Sequence, residues 1–258
     1  MCSLKFLLIF LSTLFLSLTL YSQGEIDDQE TIALRNERSF AFFLASNGFG
    51  GNFTYARRRD GFRKRQYTID MAIIKHWKEE KNQNPYSNSS SRFVYGKLNS
   101  VLNIRVGTGM QKEAFYKKDK GSISVRYFYN YGASIAILKP IYYEVQYFDT
   151  LPGIEIIKNE KFDENNPHHL SYNIIGKSTF AKGMNELKLS PAAFVKAGFT
   201  FEFSKKDKSI RALEAGLLAE IFPLGMEILA TRDKNYYFYG FYLAYRFGKV
   251  LKAKSLKG

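Results

Sequence analysis

Two adjacent histidines and a serine are the residue types in this chain that could carry out hydrolysis or acyl transfer. His168, His169 and Ser171 follow the turn-forming sequence Asn165-Asn166-Pro167 in a long segment of mixed composition. A histidine within hydrogen-bond reach of a serine hydroxyl removes its proton and makes it a nucleophile. The alternative is ordinary loop composition, since Asn, Pro and His are common in loops. The three residues are therefore candidates, and no catalytic residue is assigned.

The same segment offers few ligands for a metal ion. Asp163 and Glu164 lie near the two histidines, but their spacing matches no known ligand signature. The single cysteine, Cys2, precedes the apolar segment that opens the chain. We therefore expect no metal site, no cofactor and no disulfide bond.

A second group of reactive side chains consists of charged residues at alternate positions of otherwise apolar segments. If these segments are strands of a narrow barrel, alternate side chains point inward and fill the barrel. Charges there must pair with one another, and we predict a closed interior with no diffusive pore. A proton or ion relay through the same groups is the alternative. The predicted interior network comprises Asp70, Arg105, Glu113, Arg126, Glu144, Lys196, Glu202, Glu214, Glu220 and Arg246.

The last apolar segment, residues 235–248, shows most clearly which elements position these charges. It reads NYYFYGFYLAYRFG, with bulky apolar residues at every odd position from Tyr237 to Phe247. The even positions mix aromatic, small and charged residues. This period of two predicts a half-buried β-strand. Aromatic rings at both ends of its apolar face are typical of a strand that crosses a bilayer.

The whole chain contains eight segments of this kind. They alternate between short and long connections, as in barrels with short periplasmic turns and longer outer loops. The sequence therefore predicts an all-β fold, a transmembrane antiparallel up-and-down barrel of eight strands. Ten strands, a soluble β-sandwich or a lipocalin-like binder are the alternatives. The predicted strands are residues 39–46, 49–57, 66–78, 95–117, 121–147, 191–204, 210–222 and 235–248.

One connection has two interpretations. Asn47-Gly48 predicts a two-residue hairpin turn, which would pair residue 44 with 51 and residue 40 with 55. The alternative is one long strand with a bulge at the glycines of this region. The segment at 148–190 shows no sustained period and is predicted to be an extended outer loop.

The N-terminal segment predicts export. Residues 1–23 contain one lysine, then an apolar run of about 15 residues, shorter than the roughly 20 that a spanning helix needs. We interpret it as a cleaved signal peptide, with an uncleaved anchor as the alternative. A leader at 24–38, the barrel at 39–248 and a basic periplasmic tail at 249–258 complete the predicted organisation.

The net charge of +14 indicates which classes of partner to expect. Basic proteins bind nucleic acid or anionic lipid. An exported chain meets lipid headgroups first, so we expect outer-membrane lipid, with other envelope proteins as further partners and no nucleic acid.

Three segments resemble a known family. They read NGFGGNFTYARR (47–58), YGKLNSVLNIRVGTGMQ (95–111) and KDKGSISVRYFYNYGASIAILKPIYYEV (118–145). They resemble outer-membrane β-barrel proteins of Bacteroidetes-type bacteria, although Lys-His-Trp-Lys-Glu (75–79) departs from the Lys-His-Pro-Lys-Glu expected there. The resemblance implies a barrel in the bacterial outer membrane and no assigned activity. We therefore expect a structural, anchoring or partner-binding role, with a lipid-modifying enzyme of lipase or acyltransferase type as the alternative.

Overall fold

Eight antiparallel strands close into a barrel, as predicted. The computed structural model describes residues 36–86, 91–115, 117, 122–148, 155–204, 208–231 and 234–251. Each barrel strand pairs with its neighbours in chain order, and the last strand pairs with the first. The barrel strands are β1 (Glu37–Ala45), β2 (Gly48–Arg58), β3 (Arg63–Ile74), β6 (Asn99–Phe115), β7 (Ser124–Pro140), β11 (Lys188–Glu202), β12 (Ser209–Met226) and β13 (Asn235–Val250).

Alternation of buried and exposed side chains accounts for these strands. In β3, side chains from Lys64 to Ile74 at even positions are buried, and those from Arg63 to Ile73 at odd positions are exposed. The inward set is polar or small over most of its length, whereas the outward set becomes apolar after Arg65. Since successive side chains of a strand point to opposite faces, this period of two fixes which residues line the interior.

The first hairpin settles the choice between two strands and one bulged strand. β1 and β2 form a two-residue hairpin, so the hairpin prediction is confirmed, but the predicted register is wrong. The turn lies at Ser46-Asn47, and Leu44 pairs with Phe49 rather than with residue 51. Gly48 is part of β2 at φ +147°, and a Cβ there would lie 2.0 Å from the carbonyl oxygen of Ile73. Glycine is therefore needed as the first strand residue, because β3 approaches too closely for any side chain.

The predicted strand at 121–147 divides after Pro140. β7 ends there, and Ile141 donates its backbone N–H to the carbonyl of Leu98 instead of continuing the barrel ladder. The next residues form β8 (Tyr142–Phe148), the central strand of a separate sheet with β9 (Glu155–Lys161) and β10 (Ile174–Lys177). The predicted structureless loop at 148–190 is thus wrong in part, because it contains β9, β10 and the start of β11. The alternation of residue types continued across the break and concealed it.

A second small sheet lies in the segment between β3 and β6. β4 (Lys81–Gln83) pairs with β5 (Arg92–Val94) in the connection between the predicted strands at 66–78 and 95–117. The hydroxyl of Tyr143 in β8 donates to the carbonyl oxygens of Val94 (2.7 Å) and Lys97 (2.9 Å), which joins the two sheets. We call β4, β5, β8, β9 and β10 together the accessory sheets.

The two ends of the barrel differ. The short-turn end has the connection 59–62, the described residues of the next two short connections (117, 122–123, 203–204 and 208), Asn36 and Leu251. The long-loop end has the Ser46-Asn47 turn, the accessory sheets and the described residues 227–231 and 234. The interior at the long-loop end is closed by packed apolar side chains, each at most 9 % exposed. This apolar cap consists of Ile74, Val101, Ala136, Leu138, Ala192, Phe222, Met226, Ile228 and Phe238.

Several predicted boundaries fall outside the described part of the chain or differ from it. The predicted signal peptide at 1–23 and most of the leader lie outside the described residues. β1 begins at Glu37, two positions before the predicted start, and β13 extends to Val250. No helix in the described ranges is long and apolar enough to cross a membrane.

Candidate functional site

The barrel interior contains a charged network in three ion clusters. Within the described ranges, six acidic and six basic side chains form ion pairs there. Equal numbers of opposite charges leave the interior close to neutral. The acids are Glu37, Asp70, Glu113, Glu202, Glu214 and Glu220, and the bases are Lys64, Arg105, Lys117, Arg126, Lys196 and Arg246.

The first cluster surrounds Arg126 at the short-turn end. Its guanidinium contacts Glu202 (Nη2 to Oε2, 2.5 Å), Glu37 (Nη1 to Oε2, 3.4 Å) and Glu113 (Nε to Oε1, 3.7 Å). Lys64 forms a further ion pair with Glu37. One cation thus holds carboxylates from three strands, because a guanidinium presents several donors in a fixed plane.

The second cluster surrounds Glu214 on β12. Arg246 donates to Glu214 Oε2 from Nη2 (2.6 Å) and Nε (2.9 Å), and the Tyr242 hydroxyl donates to Oε1 (2.8 Å). Lys196 lies 3.4 Å from the same carboxylate and 3.5 Å from Asp70. The remaining donor of Arg246, Nη1, reaches the hydroxyls of Ser39 and Thr54, both at 2.9 Å.

The third cluster is the bidentate pair of Arg105 and Glu220. Arg105 Nε and Nη2 donate to the two oxygens of Glu220 at 2.8 and 2.7 Å. Asn103 (2.8 Å) and Ser134 (3.1 Å) also donate to Glu220. Both charged side chains are at most 2 % exposed. Buried charges are tolerated when they are paired and hydrogen-bonded in this way.

Nine of the ten predicted interior residues lie inside the barrel, and one does not. Glu144 belongs to β8 in the accessory sheets, where it pairs with Asn159 and Gly176. Its assignment to the interior was wrong because the chain leaves the barrel after Pro140 while the alternation of residue types continues.

The structure also contains interior charges that the sequence analysis missed. Glu37 falls in the predicted leader, Lys64 in the connection before the predicted strand at 66–78, and Lys117 at the end of the predicted strand at 95–117. A signal was present for the first two. Glu37 has the parity of Ser39, and Lys64 has the parity of Gln66, so extending each strand by two residues would have placed both inside.

The two histidines have different environments in the connection between β9 and β10. His169 is buried, and its Nδ1 accepts the backbone N–H of Asp163 at 2.8 Å. Its Nε2 lies 3.2 Å from the side-chain amide nitrogen of Asn166 and 3.2 Å from Glu160 Oε2. The Tyr147 hydroxyl donates to the same oxygen at 2.7 Å, and these hydrogen bonds, led by that of Tyr147, lower the pKa of Glu160.

A hydrolytic site would need a serine hydroxyl within hydrogen-bond reach of His169, and the arrangement of the described residues does not place one there. His168 is exposed and its ring contacts Tyr147 in a tilted arrangement, with ring centroids 4.6 Å apart. Ser171 is exposed, and over the described residues no hydrogen bond joins it to either histidine. The hydrogen bonds of His169 fix the connection around Asp163, which is a structural role. In the same part of the chain, no group of three or more His, Cys, Asp or Glu side chains forms a metal site.

Comparisons with known proteins give fold-level likeness. No family model and no curated protein matches the sequence. One similar crystal structure is that of neisserial surface protein A (NspA), with 11 % sequence identity and a TM-score of 0.38 over 83 % of this chain and 96 % of that chain. Another is Ail, the attachment invasion locus protein of Yersinia pestis, in complex with the heparin analogue sucrose octasulfate. It has 8 % sequence identity and a TM-score of 0.38 over 84 % of this chain and 97 % of that chain. Nothing in them bears on the Bacteroidetes part of the resemblance, which stays a prediction.

Proposed function

We propose that this chain is an integral outer-membrane protein whose closed barrel anchors the accessory sheets at the cell surface, where they bind partners in the envelope. The observation that carries the proposal is a continuous outward band of exposed apolar side chains. Every barrel strand contributes to it. One member from each strand in chain order is Phe42, Phe49, Ile69, Val106, Tyr129, Phe199, Leu217 and Phe241.

The size of this band favours a membrane over water. Soluble monomers rarely expose contiguous apolar patches larger than a few hundred Å². Here Phe241 is 74 % exposed and Phe42 is 69 % exposed, and the band runs around the whole circumference. A closed barrel leaves no unpaired strand edge, which is the condition for β-structure in hydrocarbon.

A basic rim borders the apolar band at the short-turn end. Outward-facing cations occupy this level on six of the eight strands, next to the tyrosines Tyr67 and Tyr245 at the edge of the band. Such a rim suits contact with anionic lipid headgroups. The residues of the rim are Arg38, Arg57, Arg63, Arg65, Lys112, Arg211 and Lys249.

The filled interior supports anchoring rather than transport. The three ion clusters and the apolar cap occupy the cross-section that a solute would need. An eight-stranded barrel is only wide enough for its own side chains. The lipid-modifying alternative lacks a paired serine at His169, so the geometry does not favour it.

Site-specific labelling tests the placement. The chain has one cysteine, Cys2, so in a Cys2→Ser background Lys182→Cys places a single thiol at the long-loop end, and Asp60→Cys places one at the short-turn end. We expect a membrane-impermeant maleimide to label Lys182→Cys in intact Gram-negative cells, and to label Asp60→Cys only after the periplasm is opened. Both variants should show heat-modifiable gel mobility, and planar bilayers should show no conductance. Recovery of unlabelled protein in the soluble periplasmic fraction would refute the proposal.

A further inference from the structure

The accessory sheets border a small, half-open cavity with a strongly basic lining. The cavity has a volume of about 120 Å³ and lies where β5, β8 and β10 meet the start of β6. Among its lining residues, all of which the structure describes, four are basic and none is acidic. The polar residues of the lining are Lys81, Arg92, Lys97, Ser100, Tyr143 and Lys177.

Three of the four cations have no carboxylate partner in the described ranges. Lys97 pairs with Glu79 at 2.6 Å, which neutralises one charge. Lys81, Arg92 and Lys177 make no ion pair with a described residue. Like charges held around one cavity repel each other, and a bound anion would remove this repulsion.

The fold brings these cations together from distant parts of the sequence. Tyr143 in β8 pairs with Lys177 in β10, and its hydroxyl fixes Val94 at the end of β5. Gly176 lets β10 approach the segment before β5, because a Cβ there would lie 2.7 Å from the Ser91 hydroxyl. This close contact places Lys177 on the same cavity as Arg92. The positions are set by a sheet framework and do not depend on one flexible loop.

The dimensions and chemistry of the cavity restrict its ligand. A volume of about 120 Å³ is enough for a tetrahedral oxyanion together with its contacts to the lining. A guanidinium and ammonium groups bind phosphate or sulfate oxygens by charge-assisted hydrogen bonds. We propose that this basic cavity binds a phosphate or sulfate group. The site stands independently of the anchoring role, since its lining comes from the accessory sheets and their junction with β6 and does not include the outward apolar band.

Titration calorimetry on the full chain in detergent tests the site. The probes are inorganic phosphate and inorganic sulfate, each against chloride at equal ionic strength. The variant carries Lys81→Gln, Arg92→Gln and Lys177→Gln. The matched control carries Lys158→Gln, Lys182→Gln and Lys188→Gln, which removes the same charge from exposed positions outside the cavity. We expect saturable binding that the cavity variant weakens at least tenfold and the control variant weakens less than twofold.

A second arm distinguishes a lipid-borne phosphate from a free anion. Lipopolysaccharide micelles and their enzymatically dephosphorylated form replace the inorganic anions. Binding that requires the phosphates and is lost in the cavity variant supports the site with a lipid headgroup as its source, even if free phosphate binds less tightly. Absence of saturable binding in both arms, or an equal loss in both variants, overturns the proposal. Heat-modifiable mobility verifies that each variant is folded, and membrane placement has no bearing on either arm.

Discussion

Glu214 is a buried carboxylate with two basic partners and one hydroxyl donor. Arg246, Tyr242 and Lys196 all contact it, and Arg246 also links it to hydroxyls on β1 and β2. The exposed pair of Glu227 and Lys234, 3.0 Å apart, provides a contrast with the same residue types. Burial strengthens an ion pair but makes the loss of one partner costly, because the other charge stays buried alone.

Replacement of Glu214 by Gln should therefore destabilise the barrel strongly. We expect a loss of about 3–5 kcal/mol, the cost of leaving Arg246 and Lys196 buried without their carboxylate. The control Glu227→Gln should cost less than about 1 kcal/mol, as exposed pairs do. Urea unfolding in detergent micelles, followed by gel mobility, measures both. Equal midpoints for the two variants would contradict a tightly packed interior.

His76 offers a pH-dependent signal at the long-loop end. Burial lowers the pKa of His76 below its usual 6.5, although Glu79 opposes the shift. Its ring stacks on Trp77, the chain's single tryptophan, with centroids 5.9 Å apart. In the folded state the imidazole is neutral at pH 7, and its Nδ1 accepts the backbone N–H of Lys78 at 3.2 Å.

Acidification should therefore weaken the local structure around Trp77. Between the lowered pKa and pH 6.5 the unfolded segment binds more protons than the folded one, so the stability contributed by neutral His76 is present above pH 6.5 and is lost as the pH falls. We expect a Trp77 fluorescence transition with its midpoint below 6.5. His76→Asn should abolish the transition, whereas a midpoint at or above 6.5 would contradict the burial effect.

At the level of single residues, the alternation of residue types along the strands places nine charged side chains inside the barrel correctly. It gives the wrong location at two kinds of position. Glu37 and Lys64 lie at strand ends, where a cluster of charges looks like a solvated turn. Glu144 lies beyond a break that leaves the alternation intact. Which partner each charge takes was beyond prediction, because Arg126 and Glu37 are 89 positions apart and meet only when the barrel closes.

At the level of elements, the hairpin of β1 and β2 shows that residue parity predicts the strands but not their register. The sequence predicts two strands with a common outward face, and the structure has them. The register differs by two residues, which leaves the parity unchanged and so cannot be detected from alternation. Tertiary packing decides it: Phe43 points inward over Gly50, where a Cβ would lie 2.7 Å from its ring.

Substitution of Gly48 should disrupt this hairpin. We expect Gly48→Ala to cost at least about 1–3 kcal/mol, because the backbone has a positive φ and a Cβ would collide with the carbonyl of Ile73. Gly51→Ala is the control, since the nearest atom to its Cβ would be 3.8 Å away in ordinary contact. Urea midpoints in micelles compare them. An equal effect of both substitutions would show that close approach of β3 does not constrain Gly48.

The alternation of residue types does not predict the accessory sheets. Their strands are short, and their core is a separate group of buried side chains. Tyr143, Val145, Phe162 and Ile174 pack there with Phe93 from β5. Contacts between segments so far apart in sequence leave no local period, so the long connection was interpreted as a loop.

For the whole molecule, the apolar band makes a depth-dependent prediction. Leu243 lies near the middle of the band on β13, and Tyr237 lies at its long-loop edge. In a bilayer, Leu243→Arg should cost about 2–4 kcal/mol and Tyr237→Arg no more than about 1 kcal/mol. Unfolding in lipid vesicles measures the difference. If both variants matched the unsubstituted protein, the band would not lie in hydrocarbon.

Pairing of the first strand with the last sets the order in which this molecule is assembled. Ser39 and Arg246 are 207 positions apart, yet they share a hydrogen bond across the seam between β1 and β13. Until β13 pairs with both neighbours, β1 and β12 each keep an open edge, and the carboxylate of Glu214 lacks its guanidinium. An incomplete barrel of this topology therefore exposes two unpaired strand edges, which are sites of aggregation.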